Sequence, residues 1–256
     1  MKIKICLLLM VWSALVLTPA KIFAGDYANI HFIGFSRDGK YLAFRQSGTA
    51  DGSGYPYADL YLVDTEKNAF AAKPFEVYLE KDGASEEDAV KKVEALAARK
   101  MRQLKIERGN TGKLLLAHTL MDETLDFSQV PSQDNVDKVK FKVRPYPREQ
   151  DGFLELTLKS IQVKPANCDD DSGVYEFFKF ELTLDSLENA EKRIETEFLQ
   201  KDANLPQTRG CPTGYRMESV YLYKNKLAVF INTLHRGYEG PDLRYMVVTG
   251  KLPGYF

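Results

Sequence analysis

Hydrophobic and polar residues alternate along much of this chain in the manner of β-strands. Residues 153–159 place leucine at every second position between polar side chains, which is typical of a strand with one buried and one solvated face. Residues 245–248 are apolar without a break, which indicates a strand buried on both faces. Further runs rich in Val, Ile, Tyr, Phe and Thr and bounded by Gly, Asn, Asp or Pro recur along the chain. The pattern predicts a mainly β protein.

One segment, residues 85–104, has a helical pattern instead. Ser85 is suited to cap the free amides of a helix start, and the acidic residues 86–88 follow it. Lys100 and Arg102 lie near the opposite end, where positive charge is favourable. An apolar stripe at helical spacing includes Val93. The segment predicts one amphipathic helix over 85–104.

Two segments near opposite ends of the chain resemble each other. Residues 35–64 and 222–248 each give a strand, a tight turn, an apolar strand, a Gly-rich loop and a third strand. Asp38-Gly39 in the first segment and Asn225 in the second are residues that supply the positive φ angles of tight hairpin turns. Similar units at both ends suggest a repeat architecture.

The string Phe-Ser-Arg-Asp-Gly-Lys-Tyr-Leu-Ala-Phe at residues 35–44 resembles blades of periplasmic β-propellers such as the propeller of the Tol system. In those proteins such a turn joins the two inner strands of a blade. Together with the repeat, the resemblance favours an irregular or incomplete β-propeller-like fold. A β-sandwich is the alternative.

Residues 1–24 have the layout of a cleavable signal peptide. A basic start with Lys2 and Lys4 precedes an apolar run over residues 5–17 and then a polar, helix-breaking stretch. Cleavage after Ala24 is predicted, with cleavage after Ala20 as the second option. The apolar run is shorter than the about 20 residues that a membrane-spanning helix requires, so an uncleaved anchor is disfavoured.

Processing has a direct test, because Trp12 is the only tryptophan in the sequence. The exported protein should have the intact mass of a chain that begins at Gly25 and should show tyrosine emission without a tryptophan band. Mass spectrometry and fluorescence of the exported form check this, and retention of Trp12 would contradict the predicted processing.

Residues 25–256 are predicted to form a single β-rich exported domain, since no low-complexity linker divides them. The formal net charge of the full chain is −1, and loss of the signal-peptide lysines makes it more negative. Nucleic acid is not expected as a partner, because phosphate binding requires a concentrated basic face. The processed protein is expected to have no membrane span and to be periplasmic or secreted.

Two of the three cysteines, Cys168 and Cys211, lie in the predicted exported chain. An even number of cysteines in an oxidising compartment indicates a disulfide. Neither has a Cys-x-x-Cys spacing or a neighbouring histidine, so a redox or catalytic role is not indicated.

No sequence motif indicates a catalytic, cofactor or metal site. His31, His118 and His235 have no ligand at a metal-binding spacing such as His-Glu-x-x-His, and no nucleotide-binding or nucleophile-elbow pattern occurs. No cofactor and no metal are therefore predicted. Asp122 and Glu123 follow His118 and would be its partners in an acid–base group, although a carboxylate-rich turn is the simpler explanation.

The loops of the two similar hairpins, residues 46–57 and 231–241, are the candidate binding surface. Tyrosine among Gly and Pro places amphipathic rings on stiff loops, as recognition surfaces do. If the hairpins are equivalent blades, their loops emerge on the same side. The candidate binding residues are Tyr55, Tyr57, His235, Tyr238 and Glu239.

A second resemblance covers nearly all of the chain after residue 24. Its landmarks are residues 34–41, 51–57, 209–212 with Tyr215, and 237–245. By these residues the chain resembles a bacterial family of predicted secreted proteins, domain of unknown function 2259. The resemblance implies export and a shared architecture, without an activity.

By elimination, the sequence favours a non-enzymatic exported envelope protein that binds a protein or glycan partner through loops on a β scaffold. The alternative is a hydrolase that acts on an envelope polymer, with His118 or His235 as the base and a carboxylate as its partner.

Overall fold

The computed structural model describes residues 25–118, 136–141, 153–168, 175–188, 192–237 and 240–252. These residues form antiparallel β-sheets and one α-helix, so the prediction of a mainly β protein with one helix is confirmed. The predicted signal peptide, residues 1–24, lies outside the described residues.

The N-terminal sheet contains the first five strands. Its strands are β1 (Asn29–Phe35), β2 (Tyr41–Thr49), β3 (Pro56–Asp64), β4 (Ala69–Phe70) and β5 (Phe75–Tyr78). The order is β1-β2-β3, and both β4 and β5 pair with β3 at different positions along it. Helix α1 (Glu86–Gln103) follows this sheet in the chain.

The other two sheets contain four strands each among the described residues. The central sheet consists of β6 (Lys113–Ala117), β11 (Pro212–Tyr223), β12 (Lys226–Arg236) and β13 (Pro241–Lys251), in the order β13-β12-β11-β6. The outer sheet consists of β7 (Val136–Phe141), β8 (Phe153–Val163), β9 (Phe177–Glu188) and β10 (Lys192–Lys201), in the order β10-β9-β8-β7. Strand β13 is therefore an edge strand of the central sheet.

The layers are stacked in the order helix, N-terminal sheet, central sheet, outer sheet. Alternate residues of β12 face opposite sides: Phe230 packs against the N-terminal sheet, and Val229 and Ile231 pack against the outer sheet. Helix α1 covers the far face of the N-terminal sheet. Stacked antiparallel sheets without a closed barrel are consistent with both predicted architectures, the incomplete propeller and the sandwich.

Helix α1 matches the predicted segment closely. The Ser85 hydroxyl accepts a hydrogen bond from the Asp88 amide, and the Asp88 carboxylate accepts one from the Ser85 amide, which is a capping box. Its buried stripe of Ala89, Val93, Ala97 and Met101 packs on the N-terminal sheet, as the periodicity predicts.

The two similar segments form antiparallel meanders, β1-β2-β3 and β11-β12-β13. Their tight turns differ from the prediction in detail. In the first turn Gly39 has a positive φ of 78° and Asp38 does not. The Asp38 carboxylate accepts hydrogen bonds from the Ser36 hydroxyl and the Lys40 amide, which stabilise the turn. In the second turn the residue with positive φ is Lys224, at 56°, and the prediction for Asn225 was wrong.

Candidate functional site

A cleft of about 580 Å³ lies between the N-terminal sheet and the β13 edge of the central sheet. The third wall is the segment between β10 and β11, which contains a short 3₁₀ turn at Gln207–Arg209. Residues 244–248 of β13 all line the cleft, and five consecutive residues of one strand can do so only if the strand presents its backbone edge. We refer to this cavity as the cleft.

Aromatic rings of the N-terminal sheet form one wall of the cleft. Phe44, Tyr61 and Phe70 occupy neighbouring positions on β2, β3 and β4, and their ring centroids are 4.8 Å and 5.7 Å apart. The rings are stacked, with interplanar angles of 17° and 26°, so they cover one another's faces. Phe70 lies at the open end of this row and is 56% exposed.

Arg244, which lines the cleft, forms an ion pair with the buried Asp26. Arg244 of β13 donates from Nη2 to Asp26 Oδ2 at 2.6 Å and from Nη1 to the Asp26 carbonyl at 2.9 Å. The Tyr57 hydroxyl donates to Asp26 Oδ1 at 2.8 Å, and the Arg244 guanidinium lies 4.8 Å from the centroid of the Tyr57 ring. Burial raises the pKa of Tyr57, so it stays a neutral donor. We call these three residues the Asp26 clamp.

His235 of β12 lies half-buried in the cleft wall. Burial, with a smaller contribution from Arg244, lowers its pKa from 6.5 to about 4. Its Nε2 lies 3.3 Å from the Thr233 hydroxyl, and the position of a Cβ on Gly210 would be 3.7 Å from its ring. The imidazole is therefore neutral near pH 7 and contributes a polar but uncharged group to the cleft.

The lowered pKa of His235 predicts a pH-dependent loss of stability. Below pH 6.5 the unfolded chain protonates this histidine while the folded protein does not, so stability falls as the pH falls towards 4. The loss from this residue between pH 7.5 and pH 5 should be about 2 kcal/mol. Urea unfolding of wild type and His235→Gln at both pH values measures the difference.

His31, exposed on β1, is the control for this prediction. Burial lowers its pKa as well, but to a smaller extent, so His31→Gln should change the pH dependence less than His235→Gln does. Equal pH dependence in wild type and His235→Gln would contradict the assignment of a neutral, desolvated imidazole.

The predicted binding residues lie in different environments of the structure. Tyr57 belongs to the Asp26 clamp, and Tyr55 packs edge-on against the Tyr78 ring of β5, with centroids 5.9 Å apart. His235 lines the cleft. The remaining two, Tyr238 and Glu239, lie outside the described residues.

The bases of the two predicted loops lie close together. Asp26 hydrogen-bonds to Tyr57 at the end of the first loop and to Arg244 just after the second. The Asp26 amide also donates to Asp242 Oδ1 at 3.1 Å, so the end of the second loop lies against the same residue. Of the predicted residues, Tyr57 and His235 therefore belong to one region, whereas Tyr55 packs towards β5.

His118 lies at a different place, at the end of β6. Its Nδ1 is 3.0 Å from the Met217 carbonyl, and its backbone amide donates to the Glu218 carbonyl. Burial raises the pKa of Asp137 and of Glu218, and the charge of His118 opposes both shifts. The predicted partners, Asp122 and Glu123, lie outside the described residues.

Cys168 and Cys211 form a disulfide, as predicted. It connects the chain after β8 to the start of β11, next to Gly210 in the cleft wall. Beside it, the Arg209 guanidinium forms a bidentate ion pair with the buried Asp202 and lies 4.6 Å from the centroid of the Phe180 ring. The disulfide and the ion pair hold the third wall in place.

Sequence reasoning missed several residues of the cleft. Phe70 lies on a strand of two residues, which is too short to show periodicity. Tyr61 alternates with buried leucines on β3, and only the pairing with β2 and β4 shows that it belongs to an aromatic row. The available signal for Arg209 was its place among the landmarks of the family resemblance.

The part of the chain that the structure describes contains neither a metal-binding cluster nor a membrane-spanning helix. No group of three or more His, Cys, Asp or Glu side chains there could hold a metal ion. No helix there combines the length and the apolar character needed to cross a bilayer.

The stacked antiparallel sheets and the cleft between them make this a β-rich protein with a preformed pocket. Residues 43–251 match the family model described as Predicted secreted protein (DUF2259), and the chain belongs to this family. No curated protein and no solved structure matches the chain. The family resemblance stated from the sequence is confirmed.

Proposed function

We propose that this protein is a non-enzymatic component of the cell envelope, periplasmic or released, that binds a protein or glycan partner in the cleft. The observation that supports this most is the cleft itself, whose volume of about 580 Å³ lies in the range of typical ligand sites. Its lining combines aromatic rings with a few fixed polar groups, which is the usual composition of a binding pocket.

The chemistry of the lining favours binding over catalysis. A general base needs a hydrogen-bonded partner and a pKa near the working pH. His235 has a pKa of about 4 and contacts the Thr233 hydroxyl, and no carboxylate in the described residues hydrogen-bonds to it. The hydrolase hypothesis keeps its second candidate base, His118, whose neighbours Asp137 and Glu218 are half-buried and do not line the cleft.

The proposed partner site is the cleft, not the tips of the two loops that the sequence predicts as the binding surface. The Tyr57 hydroxyl donates to Asp26 and its ring packs against the Arg244 guanidinium, so this side chain stabilises the fold. Phe70, in contrast, is an exposed ring at the entrance of a lined cavity, and exposed apolar side chains beside polar groups are characteristic of interaction sites.

A pair of matched variants tests the proposal. Phe70 on β4 and Leu96 on α1 are exposed to similar extents, 56% and 54%, but lie on opposite faces of the N-terminal sheet. Mature wild type, Phe70→Ser and Leu96→Ser are each immobilised and incubated with a native envelope extract, and bound protein and bound sugar are quantified. We expect Phe70→Ser to retain at most a tenth of the partner that wild type retains, and Leu96→Ser to retain all of it.

Thermal unfolding of the three proteins controls for folding, since both substitutions are at exposed positions. Equal recovery of the same partner by wild type and Phe70→Ser would contradict a role for the cleft. Loss of the partner from Leu96→Ser alone would assign binding to the helix face instead.

A further inference from the structure

Backbone groups at three positions on the outward edge of β13 form hydrogen bonds with partners that do not belong to a neighbouring strand. In an antiparallel strand every second residue directs its N–H and C=O away from the partner strand. Since β13 pairs with β12 without a register shift, Leu243, Tyr245, Val247 and Thr249 form this outward series. The Leu243 amide donates to the Asp26 carbonyl, and the Leu243 carbonyl accepts from the Ala28 amide.

Side chains satisfy two further outward amides of β13. The Tyr245 amide donates to Gln46 Oε1 at 2.9 Å, and the Thr249 amide donates to Asn68 Oδ1 at 2.8 Å. Val247 lies between these two positions. No described residue hydrogen-bonds to its outward N–H or C=O, and the same holds for the Tyr245 carbonyl. Tyr245 and Val247 both line the cleft.

An unpaired stretch of strand edge is a template for an added strand. The polar side chains around it have little capacity left for a ligand, because their groups already have partners within the protein. The paired side chains are those of Gln46, Asn68, Gln200, Arg209 and Arg244. Stacking within the aromatic row covers both faces of the Tyr61 ring, so that only the outer face of Phe70 is left for a ligand.

We propose that the ligand of the cleft is a short extended segment of polypeptide that adds to the β13 edge at Val247. This proposal rests on the proposed function and specifies the class of partner. The Val247 N–H donates to a backbone carbonyl of the ligand, and a ligand N–H donates to the Val247 carbonyl. Gln46 and Asn68 occupy the positions on either side, so the paired stretch is about three residues long.

The geometry also fixes which side chain of the ligand is selected. Val247 directs its side chain towards the N-terminal sheet, where the aromatic row lies. A ligand residue paired beside Val247 projects to the same face, so it meets Tyr61 and the exposed ring of Phe70. We expect an apolar or aromatic residue at that position, and its two neighbours to face the Pro206–Gly210 wall.

The first measurement uses peptides selected on the protein itself. A displayed library of random heptapeptides is panned on the mature protein, and enriched peptides are synthesised. We expect binding peptides to slow hydrogen exchange of the Val247 amide at least tenfold. N-methylation of the peptide amide that pairs with the Val247 carbonyl should weaken binding at least tenfold. The proposal would be overturned if the enriched peptides left hydrogen exchange of the Val247 amide unchanged, or if panning enriched no peptide.

The matched variants are Val247→Pro and Val247→Ala. Proline lacks the N–H, and at this outward position it removes no hydrogen bond within the sheet, so the protein should fold. We expect Val247→Pro to lose peptide binding at least tenfold and Val247→Ala to retain it. Equal binding by both variants would overturn strand addition, and if Val247→Pro does not fold, the exchange data on wild type decide.

A titration with glycan distinguishes the polypeptide ligand from the more general proposed function. Soluble peptidoglycan fragments are titrated into wild type, and amide shifts of Gln46, Tyr61 and Val247 are followed. Cleft shifts with glycan but not with peptide would refute the polypeptide ligand and leave the proposed function intact. Equal envelope binding by wild type and Phe70→Ser would refute the proposed function itself.

Discussion

Replacing Asp26 with alanine should lower the free energy of unfolding by about 3 kcal/mol, because it leaves the partly buried Arg244 guanidinium without its counter-charge. The Asp26 carboxylate is 4% exposed and accepts hydrogen bonds from Arg244 and from the Tyr57 hydroxyl. Urea unfolding at pH 7.5 measures the loss.

Three further variants divide this effect into its parts. Tyr57→Phe removes one hydrogen bond and should cost about 1 kcal/mol. Asp26→Leu combined with Arg244→Met removes both charges and should recover part of the loss, since an apolar pair of similar volume can replace an ion pair. Asp82→Ala, at an exposed position, is the control and should stay within about 0.5 kcal/mol of wild type. A loss below about 1 kcal/mol for Asp26→Ala would show that the clamp is not a structural ion pair.

Removal of the disulfide should have an effect of similar size. Cys168 and Cys211 are 43 residues apart, and for a loop of that length the chain-entropy model gives a stabilisation of about 4 kcal/mol. The double variant Cys168→Ser with Cys211→Ser should therefore unfold at markedly lower urea concentration than the oxidised wild type. Urea unfolding followed by circular dichroism measures the shift.

Thiol labelling supplies the control for the disulfide. The denatured, unreduced mature protein should label at neither cysteine, and reduction should make both reactive. Reduced wild type should unfold like the double serine variant, because both lack the same crosslink. Two reactive thiols in the unreduced native protein would refute the bond.

Local patterns were sufficient to predict the strands and the helix, but the pairing of strands depends on distant residues. The capping residues of α1 lie within its first turn, so Ser85 and Asp88 could be interpreted from sequence alone. The attachment of both β4 and β5 to β3 could not, because a strand of two residues has no periodicity and its partner lies in another part of the chain.

The same limit explains the outcome for the candidate site. A tyrosine between proline and alanine, such as Tyr57, has the sequence context of an exposed recognition loop. Its ring is buried because Asp26, 31 residues earlier in the chain, and Arg244 of β13 enclose it. His235 lines the cleft, and its role as a binding residue stays a prediction until the binding experiments are done.

The Asp26 clamp has a consequence for how an exported chain acquires its structure. Asp26 and Arg244 are 218 residues apart, and a Cβ on Gly25 would lie 2.4 Å from the Pro241 carbonyl oxygen. A chain that crosses a membrane amino end first therefore holds Asp26 unpaired on the far side until the segment of β13 arrives. The Asp26 clamp therefore forms only after both Asp26 and Arg244, 218 residues apart, have been translocated.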